Sequence, residues 1–275
     1  MIRTLAHPGA ATPDRFALAP CHAEPVTVTL PPADTLAQSA ALALADYDGG
    51  WLVIEDAPLA NLDIVIPGED PTGAHAAWYA GPYQMGAGTI RQLGMHVGRK
   101  GGAPWIHGHG SVAAPDWKGP DFGHVMPLES RLSRPVTAKG WAIRGARLEV
   151  MPDPETAFPL FQPRAVGPRP PTNAALLTLR PNQDLLTAIE TAAASAGMTE
   201  ARILGLGSVV HPKLQGQPRI DSFATELLVT EGRLAGGVAD LDIDLITLGS
   251  TRHNGRLERG ANGICITAEL LLVAR

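Results

Sequence analysis

The chain has 275 residues, of which 45% are hydrophobic and 18% charged, with a formal net charge of −5. That is enough apolar material for one large packed domain or two ordinary ones, which excludes a disordered chain. The acid excess argues against the basic stripe that nucleic-acid binders carry.

No run approaches the roughly 20 apolar residues of a membrane-spanning helix. The opening "MIRTLAHPGAATPDRFALAP" lacks the basic and apolar regions of a signal peptide, so none is expected. Cys21 and Cys265 lie too far apart in sequence for a metal-ligand spacing and form no disulfide framework. A reducing, cytoplasmic setting follows as the expectation. Thirty glycines and 25 prolines point to many turns and a sheet-rich fold.

In chain order, residues 1–24 read as an N-terminal extension. From Val28, "VTLPPADTLAQSAALALADYDGGWLVIED" gives a short β-rich run, a proline turn, an Ala/Leu-rich helix and a second β-rich run. The same series returns from Leu177 as "LTLRPNQDLLTAIETAAASAGMTEARILGL". Asp34 then falls on Asp184, Leu36 on Leu186 and Val53 on Ile203, each 150 positions on. Each helix is expected to run about three or four turns and to start near an Asp, which suits the positive end of a helix dipole. Leu185, Ile189, Ala192 and Ala196 share one face of the second helix. Between the copies, the seven prolines of "MPDPETAFPLFQPRAVGPRPPTN" predict an extended connector over 151–173, with Phe158, Leu160 and Phe161 packed on a surface. The expected architecture is α+β: two tandem copies, 25–150 and 174–275, each a mostly antiparallel sheet with one main helix.

The first copy holds "WIHGHGSVAAPDWKGPDFGHV", Trp105 to Val125. On a strand, His107 and His109 project from one face. Gly108 and Gly110 leave room for a close approach of backbone or ligand. A turn-rich excursion follows, and a returning strand brings His124 beside the pair. Three imidazoles on facing strands make a compact site for a divalent metal. Three protein ligands with a fourth position open to water is the catalytic kind of zinc site. Of the other histidines, His96 is a distant fourth candidate.

With these residues in view, the chain resembles the plants-and-prokaryotes-conserved (PPC) domain, whose bacterial members carry H-x-H, a turn and G-H-L or G-H-V. The pattern is also similar to the zinc site of acetolactate decarboxylase. The resemblance spans roughly Pro25–Val150 and Asn173–Arg275. It implies a highly twisted, mostly antiparallel sheet, metal ligation by His107, His109 and His124, and homo-oligomers, trimers in many relatives.

The second copy departs from this pattern. "LDIDLITLGSTRHNGRLERG" places Asp242 and Asp244 where H-x-H should stand and Arg256 where the third histidine should stand. A fixed cation does not ligate zinc. An ion pair from Arg256 to Asp242 or Asp244 in place of the metal is the expectation; three solvated charges is the alternative. The second copy is therefore read as structural. The terminal strands "WAIRGARLEV" and "GICITAELLLVAR" align Glu149 with Glu269.

A histidine-bound metal with an open position polarises a carbonyl or activates a water. That suits decarboxylation or hydrolysis of a small oxo acid or ester. Acid–base help would come from Glu129, Glu149 and Arg99, with Asp116, Asp121, Arg91 and Lys100 behind them. Each of these also suits a solvated or sheet-pairing charge. Two other classes stay open: a DNA-associated regulator and a metal-binding scaffold without turnover. Charge count weighs against DNA, with 9 Lys+Arg against 13 Asp+Glu over 24–150 and 9 against 11 over 174–275.

Overall fold

The computed structural model describes residues 1–168 and 171–275. Strand β1 (Phe16–Leu30) leads into helix α1 (Leu36–Ala43). Then come β2 (Gly49–Asn61), β3 (Asp63–Gly68), β4 (Trp78–Gln84), β5 (Gly88–Lys100) and β6 (Ala103–Ala113). After them run β7 (Phe122–Val125), β8 (Arg131–Leu132), β9 (Val136–Arg144), β10 (Ala146–Pro152) and β11 (Pro159–Ala165). The remainder is β12 (Ala174–Leu179), α2 (Leu185–Ser195), β13 (Ala201–Val210), β14 (Thr225–Ala235), β15 (Val238–Thr247), β16 (Arg252–Arg256) and β17 (Gly263–Ala274).

Strands dominate more than the sequence pattern suggested. α1 spans 8 residues and α2 spans 11, so α1 falls well short of the expected three or four turns. The helix of the first half ends early because "DYDGG" follows it, a run of poor helix formers. Asp184 caps α2, its carboxylate accepting from the Thr187 amide at 3.1 Å; Thr35, not Asp34, does the same for α1.

Two sheets have the same pairing order. In one, β1 lies beside β9, then β2, β5, β6 and β7. In the other, β12 lies beside β17, then β13, β14, β15 and β16. These pairings are antiparallel; β10 and β5 add a single parallel bridge, Glu149 to Arg99. β9 thus occupies in its sheet the place β17 occupies in the other. Glu269 on β17 is matched by a residue of β9, and the alignment with Glu149 does not hold.

β1 belongs to both sheets. Phe16 to Cys21 pair with β12, and His22 to Leu30 pair with β9. The strand is continuous across 24 and 25, so a boundary there divides an element. Residues 151–165 likewise form sheet rather than a connector: β10 runs to Pro152, and β11 pairs back on it with Pro159 opposite Pro152 and Pro163 opposite Leu148. The prolines are tolerated because, among the described residues, β11 pairs with β10 alone, an edge position that needs no outward amide donors. Phe158, Leu160 and Phe161 are buried there, as expected. The turn between the strands is tied down by ion pairs from Arg15 to Glu155, at 2.8 Å, and from Arg180 to Asp153. The end of the proline stretch includes Arg169 and Pro170, which lie outside the described residues.

The alternation of side chains along each strand decides the layering. On β17, Leu270 and Leu272 pack under α2, while Leu271 and Val273 turn toward the first sheet. On β2, Leu52 and Ile54 pack under α1, while Trp51 turns toward the second sheet. The helices therefore cover the outer faces and the sheets meet through a shared core containing Trp51, Phe122, Leu206, Leu228 and Leu271. No helix among the described residues is long and apolar enough to cross a membrane.

Ile189 sits in the centre of the α2 face and is fully buried, whereas Leu42 on α1 is 58% exposed. Ile189→Ala is expected to cost about 2–5 kcal/mol and Leu42→Ala less than about 0.5 kcal/mol, read from urea unfolding midpoints.

Candidate metal centre

The same alternation assembles the site. On β6, Ile106 and Val112 face α1, so Trp105, His107 and His109 face the second sheet. On β7, Val125 faces α1 and His124 faces the second sheet. His109 and His124 are direct cross-strand partners. The three imidazoles offer nitrogens that all lie within 4.8 Å of one another.

Gly108 and Gly110, on the opposite parity, serve the sheet rather than a ligand. A Cβ on Gly110 would stand 2.0 Å from the Gln92 carbonyl oxygen, and one on Gly108 would press on Met95 at 3.0 Å. They let β5 and the core under α1 come close, which sets the depth at which the histidines sit.

The second sheet supplies the rest. Glu269 Oε2 lies 2.6 Å from His107 Nδ1, and the Leu227 carbonyl lies 2.8 Å from His109 Nδ1. Both partners are acceptors, so each ring carries a hydrogen on Nδ1, and each neutral ring then has its lone pair on Nε2. The two Nε2 atoms stand 3.0 Å apart, and Glu226 Oε2 lies 2.9 Å from His109 Nε2. With both rings neutral, two lone-pair nitrogens and a carboxylate oxygen converge with no donor between them. A cation held by the nitrogens satisfies both, and the carboxylate beside them complements its charge. Two imidazole nitrogens on a tetrahedral zinc stand about 3.3 Å apart, close to the spacing observed. The Nδ1 hydrogen bonds to a carboxylate and a carbonyl are the outer-shell pattern that orients metal-bound histidines. The donor set therefore fits a divalent ion.

The electrostatics differ from ring to ring. Burial, with His107 and His109 beside it, holds His124 well below the ordinary imidazole value, and its Nδ1 is buried without a partner. Burial opposes charge on His107 too, but the adjacent Glu269 carboxylate outweighs it and raises the pKa. Tyr79 packs edge-on to His124, 5.6 Å between centroids. Burial, with Glu226 and Glu269 nearby, keeps its phenol protonated far above the usual range.

Glu226 escaped the sequence reading, and Glu269 entered it only as the match of Glu149, not as a site residue. They lie more than 100 positions from the histidines they contact, in the half taken as structural, and no motif marks them. Of the residues singled out for acid–base work, Glu129 lines the cavity that opens on the triad. Glu149 pairs with Arg147 at 2.5 Å, and Arg99 donates to the Gly102 carbonyl at 3.0 Å. His96 stays apart from the triad: it is fully buried, and its Nε2 donates to the Glu269 carbonyl at 2.9 Å. Asp242 pairs with Arg256 at 3.2 Å, as expected, while Asp244 takes Arg252 instead, with Nε 2.8 Å from Oδ1. Arg252 also reaches Asp121, at 3.4 Å, tying the two halves together.

No family model matches the chain, and no curated protein matches it. Several solved structures are similar to parts of it. A metal-containing protein of Archaeoglobus fulgidus is 15% identical, with a TM-score of 0.34 over 50% of this chain and 92% of its own. A plant- and prokaryote-conserved (PPC) protein of Pyrococcus horikoshii is 13% identical, with a TM-score of 0.32 over 57% of this chain and 100% of its own. A protein of Ralstonia eutropha JMP134, described as a candidate DNA-binding protein, is 16% identical, with a TM-score of 0.32 over 56% of this chain and 94% of its own.

His96 gives a pH prediction for protein stripped of divalent ions. Burial lowers its pKa from 6.5 to about 4. The unfolded chain then binds more protons than the folded one between those values, so stability falls as the pH falls through that window. The contribution is on the order of 3 kcal/mol. Urea midpoints at pH 7 and pH 4.5 should show it, and His96→Gln, which keeps a donor for the Glu269 carbonyl, should flatten the slope.

Proposed function

We propose that the chain is a PPC-like protein in which the fold unit is duplicated. The first unit binds a divalent metal, zinc foremost, through His107, His109 and His124 and uses it on a small oxo acid or ester. The observation that carries this reading is the 3.0 Å approach of two Nε2 atoms whose Nδ1 positions are both committed to acceptors. The shared pairing order of the two sheets supports the duplication.

When bound, such an ion polarises a carbonyl or lowers the pKa of a water. The protein's own groups divide the remaining work. Glu269 and the Leu227 carbonyl hold two rings in the ligating tautomer. Glu226 places a carboxylate oxygen beside the His109 nitrogen, in position to take a proton from a bound water or substrate. Tyr79, protonated, is able to donate toward an oxygen near His124. Decarboxylation or hydrolysis suits this set.

A homo-oligomer, a trimer by the family resemblance, belongs to the same proposal, as does a cytoplasmic setting for the buried, unpaired Cys21 and Cys265. The acid excess weighs against DNA as the partner.

Elemental analysis of protein purified without added metal should find close to one divalent ion per chain, lost in His107→Ala/His109→Ala. Absence of metal after zinc is offered would overturn the reading. Glu226→Gln should keep the ion and cut turnover by about a hundredfold or more; loss of the ion instead would make Glu226 a ligand.

A further inference from the structure

The cavity above the triad has a volume of about 330 Å³, at the small end for a ligand site. It has room for one ring and a short chain, but not for a dinucleotide. Its walls are unusual for this chain. Aromatic residues make up only 5% of the sequence, yet Trp78, Tyr79, Trp105, Phe158 and Phe161 all line this one space.

The rings form a continuous path. Trp78, 39% exposed, packs on Phe158 at 5.1 Å; Phe158 packs on Tyr79 at 6.1 Å; Tyr79 meets His124 at 5.6 Å. Phe161 stands 6.5 Å from His107. A second line runs down β6. Trp105 is half-buried, the His107 side chain is 15% exposed and that of His109 is fully buried, so one strand descends from mouth to floor. Lys100 Nζ stands over the Trp105 ring at 4.3 Å and also lines the cavity. Among the described residues it forms no ion pair. The next residue on that face of β6, His107, lies about 7 Å farther in.

We propose that the ligand of this site is an aromatic oxo acid: an aryl body on a short carbonyl-bearing chain that also carries a carboxylate. This rests on the metal reading above and narrows it. A hydrophilic three-carbon acid would leave the ring walls without a partner. An aryl group fills them and stacks edge or face on Phe158, Phe161 and Trp105. The carbonyl oxygen faces the histidine triad, and the carboxylate lies toward Lys100.

The test is binding, on wild-type protein whose metal content is measured in the same sample and which is loaded with cobalt(II). Phenylpyruvate and pyruvate are titrated against the cobalt absorption bands and by calorimetry. Phenylpyruvate should bind about 10- to 100-fold tighter, the effect of burying one aromatic group. Phe158→Leu, checked for an unchanged melting temperature, should lose most of that preference while pyruvate binding holds. Lys100→Met should weaken phenylpyruvate several-fold and leave phenylacetone unchanged.

Equal binding of the two acids by a metal-loaded protein would overturn this inference and leave the metal site standing. So would failure of both acids to bind. A protein that takes up no metal would remove the metal reading and this inference with it.

Discussion

The hydrogen bond between Glu269 and His107, 2.6 Å long and almost wholly shielded from water, is the contact on which the site depends. It joins the last strand of the chain to the strand carrying H-x-H. A buried carboxylate is costly unless its lone pairs are answered, and here an imidazole nitrogen answers one. In return the carboxylate decides the tautomer of that imidazole. The lone pair on Nε2 is then forced inward, toward His109, whose own Nδ1 is committed to the Leu227 carbonyl. Neither half of the chain builds this arrangement alone. The first half brings nitrogens, and the second brings the acceptors that aim them.

That two-sided construction follows from β1. By pairing with β12 along one part and β9 along the other, it holds both sheets in a fixed relation. Period-two alternation then does the sorting. Each sheet buries one face under its helix and turns the other toward its neighbour. The inner faces are mostly apolar, which makes the few polar groups on them conspicuous. His107, His109, His124, Glu226 and Glu269 gather among the inner faces, whose apolar core includes Trp51, Phe122, Leu228 and Leu271. The low polarity around them strengthens every electrostatic contact they make, and it keeps His124 uncharged.

The sequence displayed the parts of this that are local. H-x-H on a strand and a returning G-H are spacings within about 20 residues, and period two predicts their common face. The α2 face was legible for the same reason: Leu185, Ile189 and Ala192 recur at helical spacing and are buried, while Ala196 stands past the last turn as the half-buried C-cap. What could not be read was anything set by pairing between distant strands. Glu149 looked like the partner of Glu269 because both end strands in a similar run of residues. Only the ladder shows that β17 corresponds to β9. The stretch 151–173 looked like a linker because prolines argue against central strands, yet an edge strand tolerates them. Length misled too, since an Ala/Leu-rich run promises more helix than α1 delivers once "DYDGG" follows.

In the second sheet, β15 and β16 hold the places in the pairing order that β6 and β7 hold in the first. There β15 and β16 carry Asp242, Asp244, Arg252 and Arg256 facing away from the α2 core. Cross-strand pairs of opposite charge now link those strands, with Arg252 extending to Asp121 of the other half. The exposed pairs, Arg256 with Asp242 and Arg252 with Asp121, contribute little energy. Their effect is on placement: Asp244 is buried on the strand next to β14, and β14 presents Glu226 and the Leu227 carbonyl to His109. The strands that lack a metal motif thus back the strand that completes one. The second half contributes the Glu226 and Glu269 carboxylates and the Leu227 carbonyl that contact the first half's histidines.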